Sequence, residues 1–252
     1  VRLVSHWCRE TDTSNVANAV VAAITNPPLP HVLLIEHQLA DRQLPPEADQ
    51  AVFDAIGRAV ASGVVVVETA GNGNQNLDSV TVNGKHRLSR NGLQGKDSGA
   101  IIVAAGTSTC PHQRSIWENA GGSNFGSRID CYAWGDSIVT CGYGTIIGVG
   151  PTSYANNFGG TSGAASIIAG CAVLLQGLHF AAKGSLLSRA QMRDMLSNPN
   201  TGTGQDGGVA GRIGVMPNLR AIVENGNFKT NIIRKILRFV TRAVRAVGLS
   251  RD

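Results

Sequence analysis

Aromatic residues are scarce in this chain: Phe, Trp and Tyr make up 5% of 252 residues, whereas glycine occurs 31 times. So many glycines predict tight turns and closely packed backbone, as in glycine-rich α/β proteins. Charge is also low, at 15%, while hydrophobic residues reach 42%, which excludes a disordered chain. No uninterrupted apolar run reaches the ~20 residues that span a bilayer. One main globular domain is expected.

Cysteine is sparse and lacks any C-x-x-C spacing, which argues against a zinc site and against a dense disulfide framework. Its count is odd, with Cys8, Cys110, Cys131, Cys141 and Cys171. Two alternatives remain open for Cys131 and Cys141, which flank one short segment: a disulfide in an oxidising compartment, or two buried free thiols.

The net charge of +5 is confined to the end of the chain, because residues 228–252 hold seven Lys/Arg and one acidic residue, leaving −1 for residues 1–227. A nucleic-acid surface would spread its basic residues over the fold, so no nucleic-acid partner is expected. The end segment is predicted to be a basic amphipathic helix. Its apolar stripe is Ile233, Ile236, Leu237, Val240, Val244 and Val247, opposite Arg234, Lys235, Arg238, Arg242 and Arg245. The stripe either packs on the body or lies on an anionic membrane surface.

Strands and helices alternate along the first third of the chain. Val1–Val4 alternates with polar residues as a short strand does, and Ser14-Asn15 then opens a helical pattern. His31–Ile35 is a continuous apolar run, and Pro45-Pro46 introduces a second helix that ends at Gly63. Val64–Val67 is another apolar strand. This βαβαβ order predicts a parallel sheet covered by helices on both faces.

Three local signals lie further along the chain. Asn83-Gly84 predicts a hairpin turn, and residues 100–105 predict another buried strand. Ser188 with Gln191 forms a capping-box pattern at the start of a helix.

Polar and small residues follow two of the predicted strands. Glu36-His37-Gln38 comes directly after one strand, and Thr69-Ala70-Gly71-Asn72 follows another. Ligands bind beyond the carboxyl ends of parallel strands, so both segments are expected to line one cleft.

A glycine loop runs straight into a small-residue helix at Gly159–Gly170. Ser162 therefore lies near a helix N-terminus, where unpaired N–H groups and the helix dipole stabilise negative charge. Two interpretations are open from the residues alone: Ser162 caps the helix, or it is a nucleophile.

Three stretches together resemble the subtilisin-like serine proteases, the subtilases. Gly160-Thr161-Ser162 followed by Ala164-Ala165 is similar to their nucleophile motif, and the strand ending in Ala70-Gly71-Asn72 to their oxyanion strand. Asp130–Ile138 resembles their Asp-x-x-Ala-Pro-Gly segment, although Trp134 replaces the proline. The resemblance implies a three-layer α/β fold with a mainly parallel sheet, truncated at the N-terminus. It divides the chain into residues 1–227, the C-terminal portion of the catalytic domain, and the tail 228–252.

The resemblance also implies roles for individual residues. Ser162 would attack the peptide carbonyl and Asn72 would donate to the oxyanion, while Thr69, Ala70 and Gly71 would wall the pocket for the residue before the cleaved bond. Glu36, His37 and Gln38 are the other expected substrate-binding residues. The carboxylate of Glu36 either selects basic substrates or accepts hydrogen bonds from loops, and Glu68 is expected to be structural.

The family's base and orienting carboxylate have no match here. None of the six histidines is followed by glycine, as the His-Gly-Thr motif requires, so the triad Asp and His are expected upstream of Val1. The resemblance thus implies a serine endopeptidase whose present chain is an inactive fragment.

Two other classes compete with a peptidase. A non-catalytic subtilase-like binding module would suit the missing Asp and His if Val1 were the true start, whereas a nucleotide-binding loop at Gly142–Gly148 fails the G-x-G-x-x-G spacing. No metal site and no cofactor are expected, although many subtilases bind calcium, since no twelve-residue calcium loop is present. A monomer acting on peptides in a secreted or cell-envelope location is the remaining expectation.

Overall fold

The computed structural model describes Val4 and residues 7–8, 13–90, 96–118, 121–142 and 153–226. The basic tail, the strand predicted at Val1–Val4 (apart from Val4) and most of the Gly142–Gly148 loop lie outside the described residues. The division at residue 227 therefore stays a prediction.

The described elements comprise short strands around a few longer helices. The strands are β1 (Trp7–Cys8), β2 (Thr13–Ser14), β3 (Val32–Ile35), β4 (Val65–Thr69), β5 (Ile101–Gly106), β6 (Ile116–Trp117), β7 (Gly121–Gly122), β8 (Cys131–Trp134), β9 (Ile138–Cys141), β10 (Tyr154–Phe158), β11 (Gly202–Gly204) and β12 (Val215–Pro217). The helices are α1 (Val16–Thr25), α2 (Gln50–Ala61), α3 (Gly160–Lys183), α4 (Arg189–Leu196) and α5 (Leu219–Asn225), with a 3₁₀ turn at Pro46–Ala48.

One sheet dominates the described residues, in the order β11-β12-β8-β5-β4-β3. All neighbours pair in parallel except β11 and β12, which are antiparallel. The predicted mainly parallel sheet is therefore confirmed. Because parallel strands all end at one edge, β3, β4, β5 and β8 deliver the loops that follow them to the same side of the molecule.

Strand β4 shows why its sequence is apolar without interruption. Val65 and Val67 belong to the core under α3, whereas Val64 and Val66 belong to the core under α1 and α2. Successive side chains of a strand point to opposite faces, so a strand between two helical layers is buried on both. The helices thus form the outer layers of a three-layer α/β fold.

Local signals in the sequence set several element ends. Asn15 caps α1 through its side chain, Asp49 caps α2, and Gly63 follows α2 with a positive φ of 89°. Ser188 and Gln191 form the predicted capping box of α4. At Asn83-Gly84 both residues have positive φ and the flanking residues pair, which confirms the predicted turn.

Helix α3 is the longest described helix, with 24 residues and a mean hydropathy of 1.7 over its most apolar window. By length and composition it meets the requirement for crossing a membrane, which no uninterrupted apolar run in the sequence does. The helix packs on β3, β4, β5 and β8. This packing accounts for its buried residues, such as Ala165, Ile168 and Leu175, whereas Val173, Leu174 and Phe180 are exposed.

Neither alternative for Cys131 and Cys141 describes the structure in full. Both are free thiols, but only Cys131 is buried, whereas Cys141 is exposed at the end of β9. Burial raises the pKa of the Cys131 thiol well above its ordinary value, so this thiol is a protonated core group.

Candidate functional site

The loop after β4 makes a tight turn that only glycine allows. Gly71 has a φ of 87°, and a Cβ at this position would lie 2.1 Å from the carbonyl oxygen of Gln43. The chain then turns out of the sheet at Asn72, whose backbone N–H donates to Gln38 Oε1 at 2.8 Å. Gln38 thereby ties the end of β3 to the end of β4.

Asn124 anchors this loop through three hydrogen bonds made by its side chain. Its side-chain amide donates to the carbonyl oxygens of Gln43 and Ala70, at 2.7 and 2.8 Å, and its oxygen accepts from Gln75 N at 2.8 Å. Asn124 is fully buried. The conformation around Asn72 is therefore fixed before any ligand binds.

Helix α3 begins beside this loop, with Gly159 as its N-cap. The capping interpretation of Ser162 is therefore wrong, because Ser162 lies inside the first turn. Gly160 N donates to Gly135 O at 2.9 Å, and Thr161 N donates to Asn72 Oδ1 at 3.0 Å. Within the described residues, Ser162 N has no recorded acceptor, which leaves a donor directed out of the helix end.

The side chain of Asn72 is held by the residue next to Ser162. Its Oδ1 accepts from both the backbone N–H and the hydroxyl of Thr161, at 3.0 and 2.9 Å. A backbone N–H bonds only to an acceptor, so the amide orientation is settled by chemistry. Among the described residues Nδ2 has no recorded acceptor, and the side chain lines an open cleft.

Asn72 and Thr161 are 89 positions apart in the chain, and their contact sets the side-chain amide of Asn72 beside the first turn of α3. Ser162 directly follows Thr161 on that turn, so its hydroxyl and its backbone N–H belong to the same end of the helix. Two such N–H donors beside a hydroxyl are the arrangement that stabilises the oxyanion of acyl transfer.

This arrangement agrees with the comparisons with known proteins. A model of the subtilase family, peptidase S8, matches residues 12–215. The chain belongs to the subtilase family. No curated protein matches the chain.

A solved structure described as a cold adapted subtilisin-like serine proteinase shares the fold at 20% identity with a TM-score of 0.54. The match covers 81% of this chain and 62% of that proteinase, so this subtilase chain spans less than two thirds of its length.

The remaining predicted site residues lie along the ends of β3 and β4. The Thr69 hydroxyl donates to the carbonyl oxygen of His37, and both Thr69 and Ala70 are buried. Gln38 contacts Asn72, as described above. Glu36 is exposed and hydrogen-bonds to Ser166. Burial of part of its side chain raises the pKa of Glu36, and the bond from Ser166 opposes that rise.

A cleft of about 510 Å³ opens on the other side of Asn72. Its lining includes Trp117, Asp136 and Asn156 together with the glycines at the start of α3. Asp136 is held in place because its carboxylate accepts from the backbone N–H and the hydroxyl of Ser108.

A buried charged cluster lies beneath the site. Arg128, fully buried, donates to both oxygens of Glu47 at 2.7 and 2.9 Å and to Asp130 at 3.1 Å. Burial alone would lower the pKa of Arg128, but the carboxylates of Glu47 and Asp130 outweigh it and raise the pKa. The guanidinium is therefore charged in the core.

Glu68 is the residue of this cluster nearest the site, three positions before Gly71 on β4. Its Oε2 accepts from Glu47 N at 3.3 Å, while its Oε1 has no recorded partner among the described residues. Burial raises the pKa of Glu68 well above its ordinary value, and the neighbouring Glu47 carboxylate raises it further. Glu68 is therefore a protonated structural residue.

Sequence reasoning missed two residues that shape the site. Thr161 was only part of a motif, and the polar stretch around Asn124 carried no signal, because its partners lie 49 to 81 positions away. Once the fold is known, Asn124 can be recognised because a polar side chain in a fully buried position must be hydrogen-bonded to its neighbours.

The described residues contain no group of three or more His, Cys, Asp or Glu side chains placed to hold a metal ion. The absence of a metal site remains a prediction for the chain as a whole.

Proposed function

We propose that this protein is a serine endopeptidase in which Ser162 is the nucleophile. The Ser162 hydroxyl attacks the peptide carbonyl, and the oxyanion accepts hydrogen bonds from Asn72 Nδ2 and Ser162 N–H. The C–N bond then breaks, and the amine half of the substrate leaves with the proton that the general base took from the Ser162 hydroxyl. Water finally hydrolyses the acyl-enzyme on Ser162 Oγ and releases the acid half of the substrate.

The observation that carries the proposal is the double hydrogen bond from Thr161 to Asn72 Oδ1. It fixes the amide oxygen of Asn72 on Thr161 and leaves the Nδ2 donor beside the residue that precedes Ser162, which supports a pair of donors that needs no reorganisation when charge develops. Membership of the subtilase family supports peptide-bond hydrolysis as the reaction.

Ser162 also needs a general base. The structure records no hydrogen bond between Ser162 and a described histidine: His112 bonds to Thr107 O and His179 to Ser185 O. We expect the base and its carboxylate in sequence preceding Val1, in the order Asp, His, Ser. A non-catalytic binding module is the second candidate, and the missing base is the observation that favours it.

The first test is labelling by a fluorophosphonate probe, applied to the product of the whole reading frame and to the 252-residue chain. The whole product is expected to label, and Ser162→Ala to abolish the label, because the probe reacts only with an activated serine. Ser185→Ala, two residues beyond the end of α3, is the matched control and should label normally.

Asn72→Ala should lower kcat of the whole product by about 10²–10³, the cost of removing one oxyanion donor from subtilisin. Label that persists in Ser162→Ala would refute the nucleophile. A whole product that never labels would favour the binding module, and robust turnover by the 252-residue chain would refute the need for an upstream base.

The proposed substrate is a protein or peptide, cleaved by a monomer outside the cytoplasm or in the cell envelope, where subtilases commonly work. The tail 228–252 either packs on the body or contacts an anionic membrane. Co-sedimentation of the whole product with vesicles, with and without anionic lipid, distinguishes these two roles.

A further inference from the structure

Arg114 is a buried cation that has no carboxylate partner within the part of the chain that the structure describes. The residue is only 6% exposed, and burial lowers the pKa of its guanidinium. Arg128, which is also buried, is paired with the carboxylates of Glu47 and Asp130. Because a buried charge without a counter-charge costs free energy, Arg114 has to be held by other strong interactions.

The guanidinium of Arg114 connects three loops. Its Nη1 donates to Asn74 Oδ1 at 2.6 Å and to the carbonyl oxygen of Ser123 at 2.9 Å. Its Nε donates to the carbonyl oxygen of Ala210 at 2.8 Å, and its central carbon lies 4.4 Å from the centre of the Phe125 ring. A planar group with its donors in a fixed fork holds these acceptors in one relative position.

Two of these acceptors belong to the segments that carry Asn72. Asn74 follows Asn72 by two positions, and its backbone N–H donates to the carbonyl oxygen of Gly122 at 2.8 Å. Gly122 in turn donates its N–H to the carbonyl oxygen of Asn72 at 3.1 Å, and it directly precedes Ser123. Arg114 therefore bridges the segment that contains Asn72 to the segment that holds its carbonyl oxygen.

The turn after Asn72 also depends on an unusual backbone conformation. Asn74 has a φ of 54°, in the left-handed region that residues other than glycine adopt at a cost in free energy. The hydrogen bond from Arg114 to the Asn74 side chain offsets part of this cost. It thus stabilises the turn in the conformation that the site requires.

We infer that Arg114 is a positioning residue that keeps the Asn72 donor in place during catalysis. By holding Asn74 and Ser123 together, its guanidinium fixes the backbone of Asn72, so that Nδ2 stays where the oxyanion forms. The inference rests on the proposed function, because it takes the Asn72 amide as an oxyanion donor. Arg114 acts only through Asn72.

Two substitutions remove the hydrogen bond from its two sides. Arg114→Lys keeps the positive charge but replaces the planar fork with one ammonium group, and Asn74→Gly removes the acceptor while glycine retains the left-handed backbone. In the product of the whole reading frame, each is expected to lower kcat about tenfold and to leave KM within about twofold, because a displaced oxyanion donor weakens binding of the transition state rather than of the substrate.

Asn83→Gly is the matched control for Asn74→Gly. Asn83 also has a positive φ, of 51°, but it lies in the exposed turn at Asn83-Gly84. Its replacement by glycine should leave kcat and KM unchanged. Thermal unfolding of every variant checks that the fold is intact.

The decisive measurement adds Arg114→Lys or Asn74→Gly to Asn72→Ala. Once the Asn72 amide is absent, Arg114 has no donor to position, so the tenfold effect of either substitution on kcat should fall to about one. A substitution that only loosened the fold would lower kcat in the Asn72→Ala background as well.

Three results would overturn the role of Arg114: unchanged kcat in both Arg114→Lys and Asn74→Gly, an equal loss in Asn83→Gly, or a tenfold loss that persists in the Asn72→Ala background. The proposed function would still stand in these cases, provided that Ser162→Ala and Asn72→Ala impair the enzyme. If Asn72→Ala alone leaves kcat unchanged, or if the whole product has no peptidase activity, the proposed function fails and the inference fails with it.

Discussion

At the scale of single residues, the site depends on polar groups whose hydrogen bonds are fixed in advance. The backbone N–H of Asn72 donates to the side chain of Gln38, its carbonyl oxygen accepts from Gly122 N, and its side-chain oxygen accepts from Thr161. Within the part of the chain that the structure describes, only its Nδ2 has no hydrogen-bond partner, and Gly71 supplies the turn that precedes it. Each of these hydrogen bonds restricts Asn72 before the substrate binds, so less conformational entropy has to be lost on the way to the transition state.

Glu68 provides a prediction at the same scale, because its proton is retained in the fold. A carboxyl whose folded pKa is raised binds more protons when folded than when unfolded, so its contribution to stability is full below the unfolded pKa of 4.5 and is lost as pH rises toward the folded pKa. Glu68→Gln does not titrate. The free energy of unfolding of Glu68→Gln, relative to the unaltered protein, should therefore rise by up to ~1.4 kcal/mol per pH unit above pH 4.5.

Urea denaturation between pH 5 and pH 8 measures this difference. Glu224→Gln, on the exposed surface of α5, is the matched control and should follow the unaltered protein. A pH-independent difference for Glu68→Gln would mean that Glu68 is ionised in the folded protein.

At the scale of elements, α4 shows a terminus that its own sequence specifies. The Ser188 hydroxyl oxygen accepts a hydrogen bond from Gln191 N at 3.2 Å, and the side-chain oxygen of Gln191 accepts one from Ser188 N at 2.9 Å. Ser188→Ala should lower the free energy of unfolding by about 1 kcal/mol, since the backbone N–H of Gln191 loses the Ser188 hydroxyl as its acceptor. Ser185→Ala, three residues earlier and outside the box, should stay within ~0.5 kcal/mol in the same urea titration. Equal effects of the two substitutions would exclude the capping box as a source of stability.

Helix α3 is the element that connects sheet and chemistry. Its apolar face covers β3, β4, β5 and β8, while its first turn supplies Thr161 and Ser162. A long helix anchored by the core along its length presents its N-terminus rigidly, and this rigidity gives a serine on its first turn a defined position.

At the scale of the whole molecule, Arg128 joins distant parts of the chain. Glu47 precedes α2, Asp130 precedes β8, and Asp130 is in turn bonded by Arg193 of α4 at 2.7 Å and by Arg90 at 2.8 Å. Arg128→Met leaves the buried carboxylate of Glu47 without its cation, while Asp130 keeps Arg90 and Arg193, and should cost about 3–5 kcal/mol. Arg220→Met, an exposed arginine on α5, should cost less than ~0.5 kcal/mol.

Chemical denaturation at pH 7 compares these variants. Adding Glu47→Gln to Arg128→Met should recover part of the loss, because it removes the buried charge that the first substitution leaves unpaired. An Arg128→Met protein as stable as the Arg220→Met control would show that the cluster contributes nothing to stability.

The sequence by itself determined the elements and the family. Apolar runs predicted β3 and β4, caps and glycines predicted the ends of α2 and α4, and three short motifs in order indicated a subtilase, since all of these depend on residues close together in the chain. Tertiary structure decided the rest: that Thr161 orients Asn72, that Asn124 fixes the loop beneath it, that Ser162 does not cap its helix, and that Arg128 is buried between two carboxylates. These outcomes depend on hydrogen bonds between residues far apart in the chain or on where a helix begins in three dimensions, and neither is encoded in local periodicity.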